Sequence, residues 1–492
     1  MTFEHLISLC EPTNVSGPEP NTIGMLTQDS RKAKENSVFI AVRGYQVDGH
    51  EFIEDAIANG ASVIISEEPF ATTKDISIVQ VPDTRLLVGP LAQAFEGNPA
   101  KKMNVIGITG TNGKTTVATL TYQILNKLGA RPALLGTVAK LIAGEEMKSR
   151  LTTADPIELA SDMADMVQSN TTHLVMEVSS HALDQKRVAG INFDIAAFTN
   201  LSHDHLDYHE DLKAYARAKK QLFDDLSPDA WAIINGDDEQ AHFMGLDCEA
   251  QTVYFSFKEA LDVECQILSN TIDGLIIRIG KLMLESPLVG DFNAYNVTEA
   301  FLICRALGFD DTDIAESLQT ATGAPGRMER VEGSGNGKPV VIVDYAHTPD
   351  ALENVASTLA ELKTEKQKLH IVFGCGGNRD KTKRPSMARI SEQLGDEVTV
   401  TSDNPRDEDP DAIIDEIMAG FENPDNVKRI TDRKKAIEQA IAAADAYAMI
   451  LIAGKGHETY QEIKGQRHDF DDRQIAREAL DHKSANQKNE EV

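Results

Sequence analysis

The sequence has no uninterrupted apolar run approaching the ~20 residues that span a bilayer, so no membrane-spanning segment is expected. Positive charge is also in short supply: 48 Lys and Arg stand against 78 Asp and Glu, a formal charge of -30. The basic residues are dispersed and form no separate patch, and so acidic a chain repels nucleic acid and anionic membrane. Cysteine is sparse. The five residues (Cys10, Cys248, Cys265, Cys304, Cys375) lie far apart with no paired spacing, and they are read as reduced packing thiols of a cytoplasmic protein. The N-terminal stretch MTFEHLISLC has no basic region followed by an apolar core, so no secretory signal is expected. Internal repeats and low-complexity tracts are missing too.

What is present suits sizeable buried cores. Hydrophobic residues make up 41% and charged ones 26%, an ordinary balance for a globular chain. At roughly 150 residues per domain, the length suggests about three domains. The expected class is α/β, with a small α/β domain over 1–98, a central P-loop parallel-sheet domain over 99–332 and a Rossmann-like domain over 333–492. In the first, VFIAV (38–42), ASVIIS (61–66) and ISIVQV (76–81) read as strands. A helix-like stretch runs from His50 to Gly60, and a second helix, TRLLVGPLAQAFEG, stops near Gly97. The polar stretch 97–104 reads as a linker.

The second domain opens with NVIGIT (104–109), a glycine-rich turn and a helix carrying Val117, Leu120, Ile124 and Leu128. ALLGTV, HLVMEV and IAAFTN follow as strands, and the alternation implies a parallel sheet with its ligand site at the strands' C-terminal ends. The less regular segment 230–290 suggests extra strands, with antiparallel pairing open to them. After the glycine-rich stretch 323–340, VVIVDY, LHIVFG, EVTVTSD and AMILIAG alternate with helices, and the polar tail from His482 is expected to fray.

The strongest motif is Gly107-Ile-Thr-Gly110-Thr111-Asn112-Gly113-Lys114-Thr115-Thr116. A strand feeds a glycine-rich loop whose backbone N–H groups surround phosphate oxygens at the positive end of the next helix. Lys114 is placed to reach the β- and γ-phosphates of ATP, and the Thr115 hydroxyl to hold magnesium. Ile108 occupies the position where the usual pattern has glycine, so this is a variant loop. No Asn-Lys-x-Asp motif is present to read guanine. Glu177 ends the strand HLVME, where an acid completes a magnesium site at the same sheet edge. Four histidines (His181, His203, His205, His209) raise the question of zinc, but no cysteine lies near them.

The loop GxxGTNGKTT, followed by MEVSSH and TNLSHDHLDYH, resembles the Mur ligase family, the ATP-dependent amide-forming enzymes of bacterial cell-wall precursor synthesis. The resemblance covers all three domains in order. It implies catalysis by Lys114, His205 and Lys219, with His205 a ligand of a second magnesium ion. The bare reading of LKAYARAKKQLF makes Lys219 one of two exposed lysines on a helix. The resemblance instead implies an N6-carboxylysine there, a carbamate that helps bind magnesium. It places adenosine contacts on Asn293, Asn296, Arg327 and Asp344, beside the loop residues Gly110 to Thr116. The UDP-sugar substrate falls to Gln28, Ser30, Tyr45, Gln46 and Val47 in the first domain, and to Thr152, Thr153, Ser179, Gln185 and Arg187 in the second.

The block Asp403-Asn404-Pro405-Arg406 resembles the signature of family members that add meso-diaminopimelate, whereas lysine-adding relatives lack the arginine. The physics agrees: diaminopimelate is lysine with a second carboxylate, and a guanidinium grips that group bidentately. Arg379, Gly454 and Glu458 are implied as further contacts to the amino acid. GCGGNR (374–379) mimics a dinucleotide fingerprint, but Arg379 stands where glycine or alanine belongs, so NAD is not expected. The expected activity is therefore ATP-dependent addition of diaminopimelate to a UDP-N-acetylmuramoyl dipeptide. It would use small-molecule substrates, two magnesium ions with Thr115, Glu177, His205 and Lys219 as their ligands, and a monomeric chain. The competing readings are a lysine-adding or folylpolyglutamate-type ligase, a P-loop kinase or ATPase, and a non-catalytic nucleotide-binding module.

Overall fold

The computed structural model describes residues 1–45, 47–147, 151–204, 208–333 and 338–490, the last six without their side chains. The chain divides into two compact units, Met1–Cys265 with Thr298–Ser317, and Gln266–Val297 with Leu318–Val492. No helix among the described residues is long and apolar enough to cross a membrane.

The first unit holds two sheets. In the smaller one, strands Leu26–Thr27, Ser37–Ile40, Ala61–Ser66 and Ser77–Gln80 run parallel in that order, and Asn14–Ser16 closes the edge antiparallel. Val38, Ile40, Val63, Ile65 and Val79 from this sheet pack with Val88, Leu91 and Ala92 of helix Thr84–Phe95. Ala160 of helix Pro156–Gln168 joins the same cluster, which ties the small sheet to the phosphate-loop region. Segment 97–104 is not the loose linker its polarity suggested. Pro99–Lys102 forms a 3₁₀ turn, and Ala100 and Met103 are buried in the core of the next sheet.

That next sheet explains where the site lies. Its parallel neighbours run Pro132–Leu135, His173–Glu177, Asn104–Thr109, Ile195–Phe198, Trp231–Asn235 and Gln251–Ser256. From Asn104–Thr109 the chain fills one side first and then crosses to the other, so the strand order reverses at the phosphate-loop strand, where open α/β sheets bind ligands. The register pairs Glu177 with Ile108 and Phe198 with Thr109, so three C-terminal strand ends meet at one height. The first three strands of segment 230–290, Trp231–Asn235, Gln251–Ser256 and Val263–Thr271, turn out to run parallel in this sheet. Gly274–Ile279 and Leu282–Ser286, in the second unit, form an antiparallel pair. The reading also missed the hairpin Lys140–Ile142 and Glu145–Met147.

In the second unit, strands Val340–Asp344, Met449–Ala453, Leu369–Phe373, Glu397–Val400 and Val427–Arg429 lie parallel in that spatial order. Glu329–Val331 pairs antiparallel with Val340–Asp344. The central strands Val340–Asp344, Met449–Ala453 and Leu369–Phe373 are largely apolar because helices cover both faces; Pro349–Leu362 packs through Leu352, Val355, Ala356 and Leu359, and Arg433–Ala443 through Ala436, Ile437, Ala440 and Ile441. Helix Asp472–Glu490 runs into the tail from His482, and its Ile475, Ala476 and Leu480 are buried against Val331, Val341 and Val343.

A charge pair is buried in this unit. Arg433 and Asp472 are both at 0% side-chain exposure, 2.6 Å apart, and the guanidinium also donates to the carbonyls of Ser402 (3.3 Å) and Ala453 (3.1 Å). Removing one partner of such a pair strands a charge in a low-dielectric interior. Asp472→Ala is expected to destabilise the protein by about 3–5 kcal/mol, read as a lower urea midpoint for the unit's unfolding. An unchanged midpoint would show that Arg433 draws its support elsewhere.

Candidate active site

The phosphate loop is set by its neighbours as much as by its own glycines. Gly110 adopts φ 146°, and a Cβ there would lie 1.9 Å from Thr199 Oγ1, so no other residue fits. Thr111 N donates to the Asn200 carbonyl (2.8 Å) and Asn112 N to Asn200 Oδ1 (3.0 Å). Asn200 Nδ2 and Thr199 Oγ1 donate in turn to the Asn112 carbonyl at 3.1 and 2.5 Å. Thr199 and Asn200 were not singled out from sequence; their signal was the strand end IAAFTN. The loop then enters helix Lys114–Lys127 through Gly113 at φ 87°, leaving the first N–H groups of that helix facing the loop, with Thr116 buried in its first turn.

Two lysines converge on this loop. Lys114 Nζ donates to the carbonyls of Gly110 (2.9 Å) and Thr111 (2.8 Å), and Lys219 Nζ donates to the same Gly110 oxygen at 2.7 Å. Lys219 is 1% exposed, with its ammonium over the Tyr215 ring at 4.5 Å. The bare reading of it as a solvated helix residue is thereby overturned: it projects from the buried face of helix Leu212–Asp224. Burial holds its pKa well below the usual 10.5, the Lys114 cation adds to the depression, and Asp204 opposes it.

Glu177 stands beside the helix start. Its Oε2 accepts from Thr115 Oγ1 (3.0 Å) and Thr137 Oγ1 (3.3 Å), and its Oε1 from Thr137 N (2.8 Å). Gly136 makes the room, since a Cβ there would meet Glu177 Oε1 at 2.4 Å. The carboxylate is 1% exposed, and its hydrogen-bond donors are all neutral. A buried anion beside a threonine hydroxyl, with no cation paired to it among the described residues, is a donor set that fits a hard divalent ion. His205, the expected second-ion ligand, and Gln46 lie outside the described residues.

A hydrogen-bonded chain leads from Glu177 toward the small sheet. Thr153 Oγ1 donates to the Glu177 carbonyl (2.9 Å) and accepts from Ser179 N (3.1 Å), while the Thr152 and Thr137 hydroxyls lie 2.9 Å apart. Arg187 donates to the Thr153 carbonyl (3.0 Å) and grips Gln185 Oε1 at 3.0 and 2.6 Å. Gln185 donates to Tyr208 OH (3.1 Å), and Asp184 accepts from both Tyr208 (2.7 Å) and Tyr45 (2.5 Å). The two tyrosine donors hold the Asp184 carboxyl below its usual range against the opposing effect of burial, which is the largest single influence. Asp184 and Tyr208 were missed in the sequence, where nothing distinguishes them from surface polar residues. Gln28 and Ser30 follow strand Leu26–Thr27, and Tyr45 and Val47 follow its parallel neighbour Ser37–Ile40, so both loops occupy one sheet edge. Ser30 is buried, while Tyr45 and Val47 are exposed.

The remaining expected residues belong to the second unit. Asn293 and Asn296 are buried in the first turns of helix Asp291–Ala306; Asn296 Nδ2 donates to Asn293 Oδ1 (3.0 Å) and Asn293 Nδ2 to the Val289 carbonyl (2.8 Å). Among the described residues no hydrogen bond joins them to Arg327 or Asp344. Arg327 lies over the Tyr345 ring at 4.9 Å, and its buried Nε has no partner. Asp344 accepts from Met328 N (2.7 Å) and Ala346 N (2.8 Å); burial raises its pKa and the Arg327 cation opposes the rise. The Asp344 carbonyl accepts from Gly454 N (3.1 Å), which joins this group to the next.

The block Asp403–Arg406 lies beside Gly454, where a Cβ would meet Asp403 Oδ2 at 2.5 Å, and beside Glu458. Asn404 Nδ2 donates to Glu458 Oε2 (2.8 Å), and Gln461 donates to the Asp403 carbonyl (2.6 Å). Arg406 takes φ 52°, donates through NH1 to the Gly377 carbonyl (2.8 Å) and lies 3.8 Å from Glu462. Its backbone bridges to the hairpin Tyr460–Ile463 and Gln466–Asp469, accepting from Lys464 N (2.7 Å) and donating to the Glu462 carbonyl (3.0 Å). Arg379 is exposed on the adjoining 376–379 loop. That loop is braced from below by Arg384, at 0% side-chain exposure, which donates to the Gly376 carbonyl (3.3 Å) and to Glu408 (3.0 Å) and Glu416 (2.6 Å). Neither Arg384 nor Lys455, buried beside Glu458, was foreseen.

Three family models match the chain: "Mur ligase family, catalytic domain" over residues 22–97, "Mur ligase middle domain" over 108–304, and "Mur ligase, glutamate ligase domain" over 326–456. A curated relative from Cytophaga hutchinsonii, named UDP-N-acetylmuramoyl-L-alanyl-D-glutamate--2,6-diaminopimelate ligase, is 43% identical over 98% of this chain and 99% of its own. One of the same name from Parabacteroides distasonis is 42% identical over 97% and 99%. A solved structure titled with that name superposes with a TM-score of 0.73 at 33% identity, covering 98% of each chain. With matches running through both units and over nearly its whole length, the chain belongs to the Mur ligase family.

Proposed function

We propose that the protein joins meso-2,6-diaminopimelate to UDP-N-acetylmuramoyl-L-alanyl-D-glutamate at the expense of ATP, forming the tripeptide, ADP and phosphate in peptidoglycan precursor synthesis. The observation that carries the reading is the block Asp403–Arg406, in which Arg406 donates to the Gly377 carbonyl and Asn404 donates to Glu458. It is supported by near-full-length relatives that bear this activity in their names. The division into domains 1–98, 99–332 and 333–492, serving the UDP-sugar, ATP and the amino acid, is part of the proposal.

Joining a carboxylate to an amine in water is uphill, so the dipeptide carboxylate first attacks the γ-phosphorus of ATP. ADP leaves and an acyl phosphate forms. The diaminopimelate amine then attacks the acyl carbon and expels phosphate. Bringing an anion to a polyanion needs positive charge in fixed positions. Lys114 and the N–H groups at the start of helix Lys114–Lys127 supply it on the phosphate side. Thr115 and Glu177 would hold magnesium, with Lys219 and His205 serving a second ion; the metal when bound neutralises charge on the phosphate oxygens. Arg187, Gln185, Thr152, Thr153 and Ser179 bind the UDP-dipeptide, with the loops of Gln28, Ser30 and Tyr45 to Val47 taking its uridine end. Asn293, Asn296, Arg327 and Asp344 receive the adenosine.

Lys219 acquires its role by carbamylation. Its neutral ε-amine attacks carbon dioxide, the N–C bond forms, and a proton leaves to solvent, giving an anion in place of a cation. A depressed pKa supplies the neutral amine at pH values where an exposed lysine is protonated. The sign follows: acidification protonates the amine and removes the carbamate. The native state also binds fewer protons than the unfolded chain between the lowered value and 10.5, so this group's contribution to stability falls as pH drops through that window. With ¹³C-bicarbonate, the wild type should show one slowly exchanging carbamate resonance that fades on acidification and is absent from Lys219→Ala. A wild-type spectrum without it would reject the modification.

Phosphate release with the UDP-dipeptide should require meso-diaminopimelate, with lysine at least about 10⁴-fold poorer in kcat/KM. Comparable turnover with lysine would overturn the specificity, and release independent of any amine would favour an ATPase or kinase. Arg406→Ala should raise KM for diaminopimelate at least about tenfold more than KM for ATP. Equal effects on the two would mark Arg406 as structural.

A further inference from the structure

Beside the amino-acid-binding block lies a charged residue that no part of the reading above uses. Lys455 follows Gly454 at the end of strand Met449–Ala453 and is fully buried, at 0% exposure. A lysine with no contact to water must have its ammonium satisfied by protein groups, and here they are particular ones. Lys455 Nζ donates to Glu458 Oε2 (3.0 Å) and to Asn404 Oδ1 (3.1 Å), and it lies 5.5 Å from the centre of the Tyr460 ring.

We propose that Lys455 is a positioning residue that sets the amino-acid specificity of the enzyme, an inference that rests on the diaminopimelate reading and deepens it. Both hydrogen bonds to the Glu458 side chain, from Lys455 and from Asn404 Nδ2 (2.8 Å), go to Oε2. Among the described residues none reaches Oε1, in a side chain 16% exposed. Lys455 thus pulls one oxygen inward and turns the other toward the site, as an acceptor for the distal ammonium of the incoming amino acid. The same ammonium sets the Asn404 amide. Asn404 Oδ1 accepts from Lys455 and from Glu462 N (2.9 Å), so its nitrogen must face Glu458. Glu462 is also the backbone partner of Arg406, accepting from Arg406 N at 3.0 Å. Through Asn404 and Glu462, one buried cation fixes the spacing between the acceptor for the ammonium and the guanidinium for the carboxylate. That spacing reads the distal carbon of diaminopimelate, where both groups hang.

The test compares meso-diaminopimelate with 2-aminopimelate, which keeps both carboxylates and lacks the distal ammonium. The ratio of their kcat/KM values does not depend on the fraction of enzyme folded. Wild type should prefer diaminopimelate strongly. Lys455→Met should cut that preference by about tenfold or more through a higher KM for diaminopimelate, with KM for ATP within about twofold of wild type. Lys455→Gln keeps a donor without the charge, guards against a Met variant that fails to fold, and should show the same direction. A preference unchanged in either variant, or a KM for ATP rising in step, would overturn the inference. A wild type that does not use diaminopimelate at all would instead overturn the functional reading beneath it.

Discussion

The structure turns on one carbonyl oxygen. Gly110 presents it to the ammonium groups of both Lys114, at the start of helix Lys114–Lys127, and Lys219, on helix Leu212–Asp224. The loop holds this shape because Gly110 sits against Thr199 with no room for a Cβ, and because Asn200 clasps Thr111 and Asn112. Close approach of like charges in a dry place makes one of them easy to deprotonate. Lys219, deeply buried, is the one that yields. A lysine that gives up its proton more readily than an exposed one is the better nucleophile, and next to a phosphate loop that difference is chemically useful.

The second unit solves the opposite problem, holding charges in place while leaving them charged. Arg433 with Asp472, Arg384 with Glu408 and Glu416, and Lys455 with Glu458 all sit beneath or beside the 374–379 and 403–406 segments. Such buried pairs contribute little net stability and cost much to break singly. Their value here is geometric: Arg384 also donates to the Gly376 carbonyl and Lys455 to the Asn404 amide oxygen, while Arg433 donates to the carbonyls of Ser402 and Ala453, which immediately precede Asp403 and Gly454. The loops that bear Arg406 and Glu458 lie outside the regular strands and helices, so such contacts help to fix their shape.

Parallel strand register does the rest of the positioning in the first unit. Because Glu177 pairs with Ile108 and Phe198 with Thr109, the acid, the phosphate loop and the Thr199–Asn200 clasp reach the same edge without any long connection. The Thr153, Arg187, Gln185 and Tyr208 chain then extends the site from Glu177 to Tyr45 in the neighbouring sheet.

Much of this was legible beforehand. The apolar runs at 61–66, 104–109, 369–373 and 449–453 became strands as read, because a strand covered on both faces has to be apolar throughout. The run of glycines and Lys114 was likewise readable, since backbone N–H groups at a helix start bind phosphate whatever surrounds them. What the chain alone could not reveal were residues whose meaning depends on burial. Lys219 and Lys455 look like any solvated lysine, Asp184 and Tyr208 like surface polars, and the tail from His482 like a loose end. Local composition carries no record of which neighbours exclude water. Sequence by itself determined the strands, the phosphate loop and the arginine of the 403–406 block; the tertiary structure alone decided which cations lost their water, and desolvation is what separates a reactive or positioning lysine from an ordinary one.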